Sequence, residues 1–133
     1  MRLFHVQGIE IRGPRARVVR VGCNAASLPQ WTRAFRSVHN GHARMETESG
    51  ASDVRLDVLA DGSCGTVDWR MEFPDGTVGI AQSRVTETTR STCIYSFVLH
   101  APPVAQEQVE GALDAQRVTL RSELSRLKEL LER

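Results

Sequence analysis

Four polar side chains fall among apolar neighbours in what read as alternating strands: His39, Gln82, Arg84 and Tyr95. If Thr89-Arg90 is a two-residue hairpin loop, Arg84 lies across from Tyr95, with Gln82 two residues along the same face. That trio has usable chemistry. A guanidinium binds a carboxylate or polarises a carbonyl through a planar fork of donors. A phenol or an imidazole can serve as general acid. Trp69 shares the face and adds a flat apolar wall. A structural role stands beside each of these. Arg84 can pair with a helix carboxylate such as Glu110, Asp114 or Glu123, or reach water at a cavity mouth. His39 can be a satisfied edge residue, and Trp31 and Trp69 can be core. Asp68 falls on the opposite face and is set aside.

Other chemistries lack their residues. Cys23, Cys64 and Cys93 form no C-x-x-C pair, and their odd number reads as free thiols in a reducing compartment. His5, His39, His42 and His100 show no metal-ligand spacing, so no metal or other cofactor is expected. No phosphate-binding glycine loop and no G-x-S-x-G elbow is present.

The elements that position these residues are set by turns. Ser49-Gly50-Ala51, Asp61-Gly62, Asp75-Gly76 and Thr89-Arg90 punctuate residues 37–100. Asp-Gly suits a two-residue type I′ turn, in which both positions need positive φ. With two-residue loops, Leu56 opposes Val67 and Val54 opposes Trp69; Met71 opposes Ile80 and Trp69 opposes Gln82; Gln82 opposes Phe97 and Ile80 opposes Leu99. One face then collects Val54, Leu56, Val58, Val67, Trp69, Met71, Phe73, Val78, Ile80, Tyr95, Phe97 and Leu99. Continuing through the Gly50 turn adds Met45, Ala43 and His39. The other face receives Asp53, Arg55, Asp57, Asp68, Arg70 and Glu72.

Residues 3–12 read as a first strand, ended by Gly13-Pro14. Two short helices follow within 15–36, the second with Pro29 in its first turn and Trp31, Ala34 and Phe35 on one face. After Ala101-Pro102-Pro103, residues 104–132 read as one helix about 40 Å long. Its stripe is Val109, Leu113, Gln116, Leu120, Leu124, Leu127 and Leu131, suited to covering a sheet. A coiled coil is the rival reading.

The chain of 133 residues fits one domain, residues 1–133. Its 41% hydrophobic and 25% charged residues suit a globular fold. No apolar run approaches the roughly 20 residues of a membrane span, and the start lacks a signal-peptide pattern, which reads as cytoplasmic. The net charge of +1 hides +7 in residues 1–44 and −6 beyond. The arginines are scattered without interleaved aromatics, so nucleic acid is not an expected partner. A homodimer is compatible with the sequence.

Several segments resemble the START-like, or SRPBCC, superfamily in its polyketide cyclase/dehydrase and lipid-transport branch. They are Leu28-Pro29-Gln30-Trp31 with Ala34-Phe35, Gly65-Thr66-Val67-Asp68-Trp69, Arg84-Val85, Phe97–Pro103, and the tail Leu120…Glu123-Leu124…Leu127-Lys128…Leu130-Leu131-Glu132. The resemblance implies an α+β helix-grip fold, here of about six antiparallel strands curved around the terminal helix, with a ligand cavity between. It also implies a small hydrophobic ligand: lipid, polyketide or aromatic-like. Gln82, Arg84, Tyr95, His39 and Trp69 are the candidate ligand-binding residues. A cyclase or dehydratase is the alternative, with Arg84 as oxyanion stabiliser and Tyr95 or His39 as acid/base. A ligand-free interaction module is the third reading.

Overall fold

The computed structural model describes residues 3–47, 50–100 and 109–133. It is α+β, with one seven-stranded antiparallel sheet and a long C-terminal helix. The strands are β1 (Phe4–Arg12), β2 (Phe35–His39), β3 (His42–Thr47), β4 (Gly50–Asp61), β5 (Thr66–Glu72), β6 (Val78–Thr89) and β7 (Thr92–His100). Their order is β1-β7-β6-β5-β4-β3-β2, a meander whose last strand returns to pair with the first. Helices α1 (Arg15–Gly22) and α2 (Leu28–Trp31) follow β1, and α3 (Val109–Leu131) closes the chain. No helix among the described residues is long and apolar enough to cross a membrane.

The sheet has one strand more than its sequence suggests. Asn40 and Gly41 take φ of 48° and 79°, so a two-residue hairpin splits one expected strand into β2 and β3. Asn-Gly is the strongest dipeptide signal for that turn. Helix α2 also stops at Trp31, where the Thr32 hydroxyl bonds the Leu28 carbonyl at 2.7 Å. Phe35 is therefore already strand rather than helix.

Three of the expected registers are corrected. The β4–β5 loop spans four residues, so Leu56 faces Met71 and Val58 faces Trp69. That shift is even, and the inward faces survive it. The β5–β6 loop spans three residues, Pro74-Asp75-Gly76, and Phe73 N–H bonds the Thr77 carbonyl at 2.9 Å. Pro74 suits the second position of a type I turn, the Asp75 carboxylate accepts from the Thr77 N–H, and Gly76 at φ 88° completes the bulge. This shift is odd, so β6 turns over: Ala81, Ser83 and Val85 face inward, while Val78, Ile80, Gln82 and Arg84 face outward. The β6–β7 loop is Arg90-Ser91, and an irregularity between Glu87 and Thr89 moves the register by one. Val85 then faces Tyr95 and Ser83 faces Phe97. The two odd shifts cancel, which leaves Tyr95, Phe97 and Leu99 inward as their alternation suggests.

The core lies between the inner sheet face and the helices. Leu113, Leu120, Leu124, Leu127 and Leu131 form the buried stripe of α3, with Gln116 within it. Tyr95 is wholly buried under α1, where its ring and hydroxyl fill the space left by Gly22. Outside, Asp57, Arg70 and Glu72 form a surface ion-pair group on the outer face.

Candidate functional site

Between the sheet and α3 lies a cavity of about 580 Å³. Its walls come from every layer: Trp31 of α2, Trp69 and Met71 of β5, Phe97 of β7, and Gln116 and Glu123 of α3. Small residues keep it open. Ala81 on β6 faces inward, and α3 presents Ala112, Ala115 and Thr119 to the gap. Larger side chains at these positions would fill the space with packed core.

The aromatic wall is ordered. The Trp69 and Phe97 rings stack nearly parallel, with centroids 5.6 Å apart and planes 2° from parallel. Trp31 meets both, at 6.4 Å from Trp69 and 6.3 Å edge-on to Phe97. These are favourable offset and edge-to-face geometries.

Three polar atoms of the lining residues lack partners. Among the described residues, Trp31 Nε1, Trp69 Nε1 and Gln116 Oε1 are buried with no hydrogen bond. Trp31 and Trp69 are 2% and 4% exposed. Each such group forfeits roughly 1–3 kcal/mol when left unsatisfied. These polar atoms are themselves closed off from the cavity, and it is the rest of each side chain that lines it.

Glu123 is a further polar residue of the lining. Its carboxylate accepts from the Arg33 N–H at 2.7 Å and from the Ala34 N–H, tying α3 to the segment between α2 and β2. Burial pushes its pKa up against the opposing pull of those two hydrogen bonds.

Of the five residues singled out from sequence, only Trp69 lines this cavity. Tyr95 is inward but lies away from it, sharing the Ser83 hydroxyl, which is 3.2 Å from the phenol oxygen. Burial raises the Tyr95 pKa above its ordinary value. Gln82 and Arg84 are exposed on the outer face, because β6 is turned over by its three-residue loop. There Gln82 Oε1 meets His100 Nε2 at 2.8 Å. His39 is exposed beside Asn40 at the extra hairpin, with its ring 3.0 Å from the Asn40 amide. Arg84, Gln82 and Tyr95 thus do not converge. Gln116 was legible in sequence as the one polar break in a leucine stripe, and the Trp31 and Trp69 positions as aromatics on inward faces. The missing signal was their mutual proximity, which joins α2, β5 and α3.

The fold is shared with solved structures of low sequence identity. XoxI from Bacillus cereus superposes with a TM-score of 0.71 at 15% identity, over 98% of this chain and 96% of that one. A START superfamily protein from Mycobacterium smegmatis gives 0.70 at 10% identity, over 97% and 99%. The Zhui aromatase/cyclase from a Streptomyces species gives 0.69 at 8% identity, over 98% and 93%. No protein-family model matches the sequence, and no curated protein matches it. A meander closed by its first strand, two short helices and a long covering helix therefore give this chain the same helix-grip fold as these structural neighbours, which include a START superfamily protein and aromatase/cyclases.

Proposed function

We propose that the protein binds a small, largely apolar molecule, held between the sheet and α3. One observation carries this reading: the aromatic wall of Trp31, Trp69 and Phe97 and the small residues of α3 enclose one cavity of about 580 Å³. That volume lies within the roughly 300–1,000 Å³ of small-molecule sites. The aromatic wall favours a flat ligand. Lipids, polyketides and other oxygenated aromatics all fit this description.

The two tryptophans are the only ones in the chain, so intrinsic fluorescence reports on the site directly. Titration with 1-naphthol should quench it saturably. Ala115→Phe, which fills the gap, should abolish saturable quenching by both 1-naphthol and naphthalene while keeping the fold. Absence of saturable quenching by either probe would overturn the reading. Quenching retained in the filled variant would place both probes outside the cavity.

A second reading is that the same cavity performs a cyclase or dehydratase reaction. Glu123 favours it: a carboxyl on the cavity wall, held toward its protonated form by burial, is a candidate proton donor. Turnover of a poly-β-ketone that is abolished by Glu123→Gln, with 1-naphthol binding intact, is the result this reading requires.

A further inference from the structure

Helix α3 runs beside the free edge of β1, in the same direction. Antiparallel pairing leaves the N–H and C=O of alternate β1 residues pointing away from β7. At the far end of the strand α3 satisfies them. Lys128 Nζ donates to the Glu10 carbonyl at 2.7 Å. The Glu132 carboxylate accepts from the Arg12 N–H at 2.9 Å, from Arg12 Nη2 at 3.2 Å and from Lys128 Nζ at 2.6 Å. A carboxylate there sits among an edge N–H, a guanidinium and an ammonium.

One step up the strand the same arrangement recurs without its anion. Gly8 has the outward parity of Glu10 and Arg12, so its N–H faces the open edge. Arg117 and Arg121, one turn apart on α3, flank it with Ser125 and His5 around a cleft of about 340 Å³. Among the described residues neither guanidinium has an ion pair or hydrogen bond. Two unpaired guanidinium groups beside a free strand-edge N–H repeat the donor set that holds Glu132, with no side chain of the protein filling the middle.

We propose that this cleft is a second binding site, on the other flank of α3 from the apolar cavity, for an oxyanion: a carboxylate or phosphate monoester. Arg117 and Arg121 supply the charge and the paired donors. The Gly8 N–H and the Ser125 hydroxyl orient the group. Such a site would select an anionic substituent by the fork geometry of arginine rather than by apolar fit. It does not depend on what the cavity holds.

The test is an amide NMR titration of the full chain with inorganic phosphate, against sodium chloride of equal ionic strength. Saturable shifts centred on Gly8 and Ser125, seen with phosphate and absent with chloride, are the expected result. The double variant Arg117→Gln/Arg121→Gln should weaken them at least tenfold with an unchanged melting temperature, since both side chains are exposed. Matching shifts in chloride, or unweakened binding in the double variant, would overturn the proposal. A second arm uses vesicles containing phosphatidylserine. If soluble phosphate binds and vesicles do not, the anion belongs to a solute. If both bind, and the double variant loses both, the oxyanion is a lipid headgroup. Binding to vesicles that the double variant retains would count against the site.

Discussion

Two carboxylates show how position sets opposite responses to pH. Glu123 is buried, and its folded-state pKa is raised from 4.5. The folded protein therefore holds that proton more tightly than the unfolded chain. Its contribution to stability is full below pH 4.5 and is lost as pH rises through the raised value. Glu132 is the reverse. The Arg12 N–H, then Lys128, hold its carboxyl down from 4.5 to about 2. Its contribution is present above pH 4.5 and is lost as pH falls toward 2. Denaturation across this range should show that Glu132→Gln flattens the acid limb, whereas Glu123→Gln flattens the decline on the other side. The same slopes in wild type and both variants would contradict the assignment. The thiols differ by position as well. Cys93 is buried, and burial, then the charge of Glu87, pushes its pKa up; Cys23 and Cys64 are half-buried. Brief alkylation of the native protein, read by mass spectrometry, should modify Cys23 and Cys64 before Cys93.

At the scale of elements, α1 and α3 bury the inner face of the sheet. Leu124 is 1% exposed in the middle of the α3 stripe. Leu124→Ala should cost about 2–5 kcal/mol in chemical denaturation. A shift of a few tenths would show that the stripe is not core. Helix α1 closes on Tyr95 at a point only glycine allows. A Cβ at Gly22 would lie 2.7 Å from the phenol oxygen and 3.2 Å from the ring. Gly22→Ala should destabilise by about 1–3 kcal/mol, the usual range for an overfilled core. Adding Tyr95→Phe removes the nearest atom, so the pair should recover part of that loss. Additive losses in the double variant would mean that the two residues do not press on each other. Both helices were readable in advance from apolar spacing, and so was the identity of the stripe. The β5–β6 loop was not, because Asp75-Gly76 fits a two-residue loop as well as the end of a three-residue one. Pro74 decides it, since its fixed φ pre-forms the first corner of the longer turn.

At the scale of the molecule, the sheet and α3 stand apart where α3 presents Ala112, Ala115 and Thr119, and close where it presents leucines. One end of the structure is therefore packed core and the other a cavity. A ligand that binds only the folded chain should raise its stability by about 2.7 kcal/mol at a hundredfold excess over its dissociation constant. Saturating 1-naphthol should therefore raise the melting temperature, and Ala115→Phe, which fills the gap, should abolish that rise while keeping the fold. A persistent rise in the filled variant would place the ligand elsewhere.

The class of fold, the leucine stripe, the inward faces of β4, β5 and β7, and the order of elements apart from the β2–β3 hairpin follow from the sequence alone, because each rests on periodicity within a segment. The outward turn of β6 does not, because face parity depends on loop length to the single residue, and one odd step moves Gln82 and Arg84 to the other side of the sheet. The site itself belongs to the tertiary structure. Trp31, Trp69 and Gln116 lie far apart along the chain and become neighbours of one cavity only when α2, β5 and α3 assemble. What marks them there is the space they enclose, which no linear pattern records.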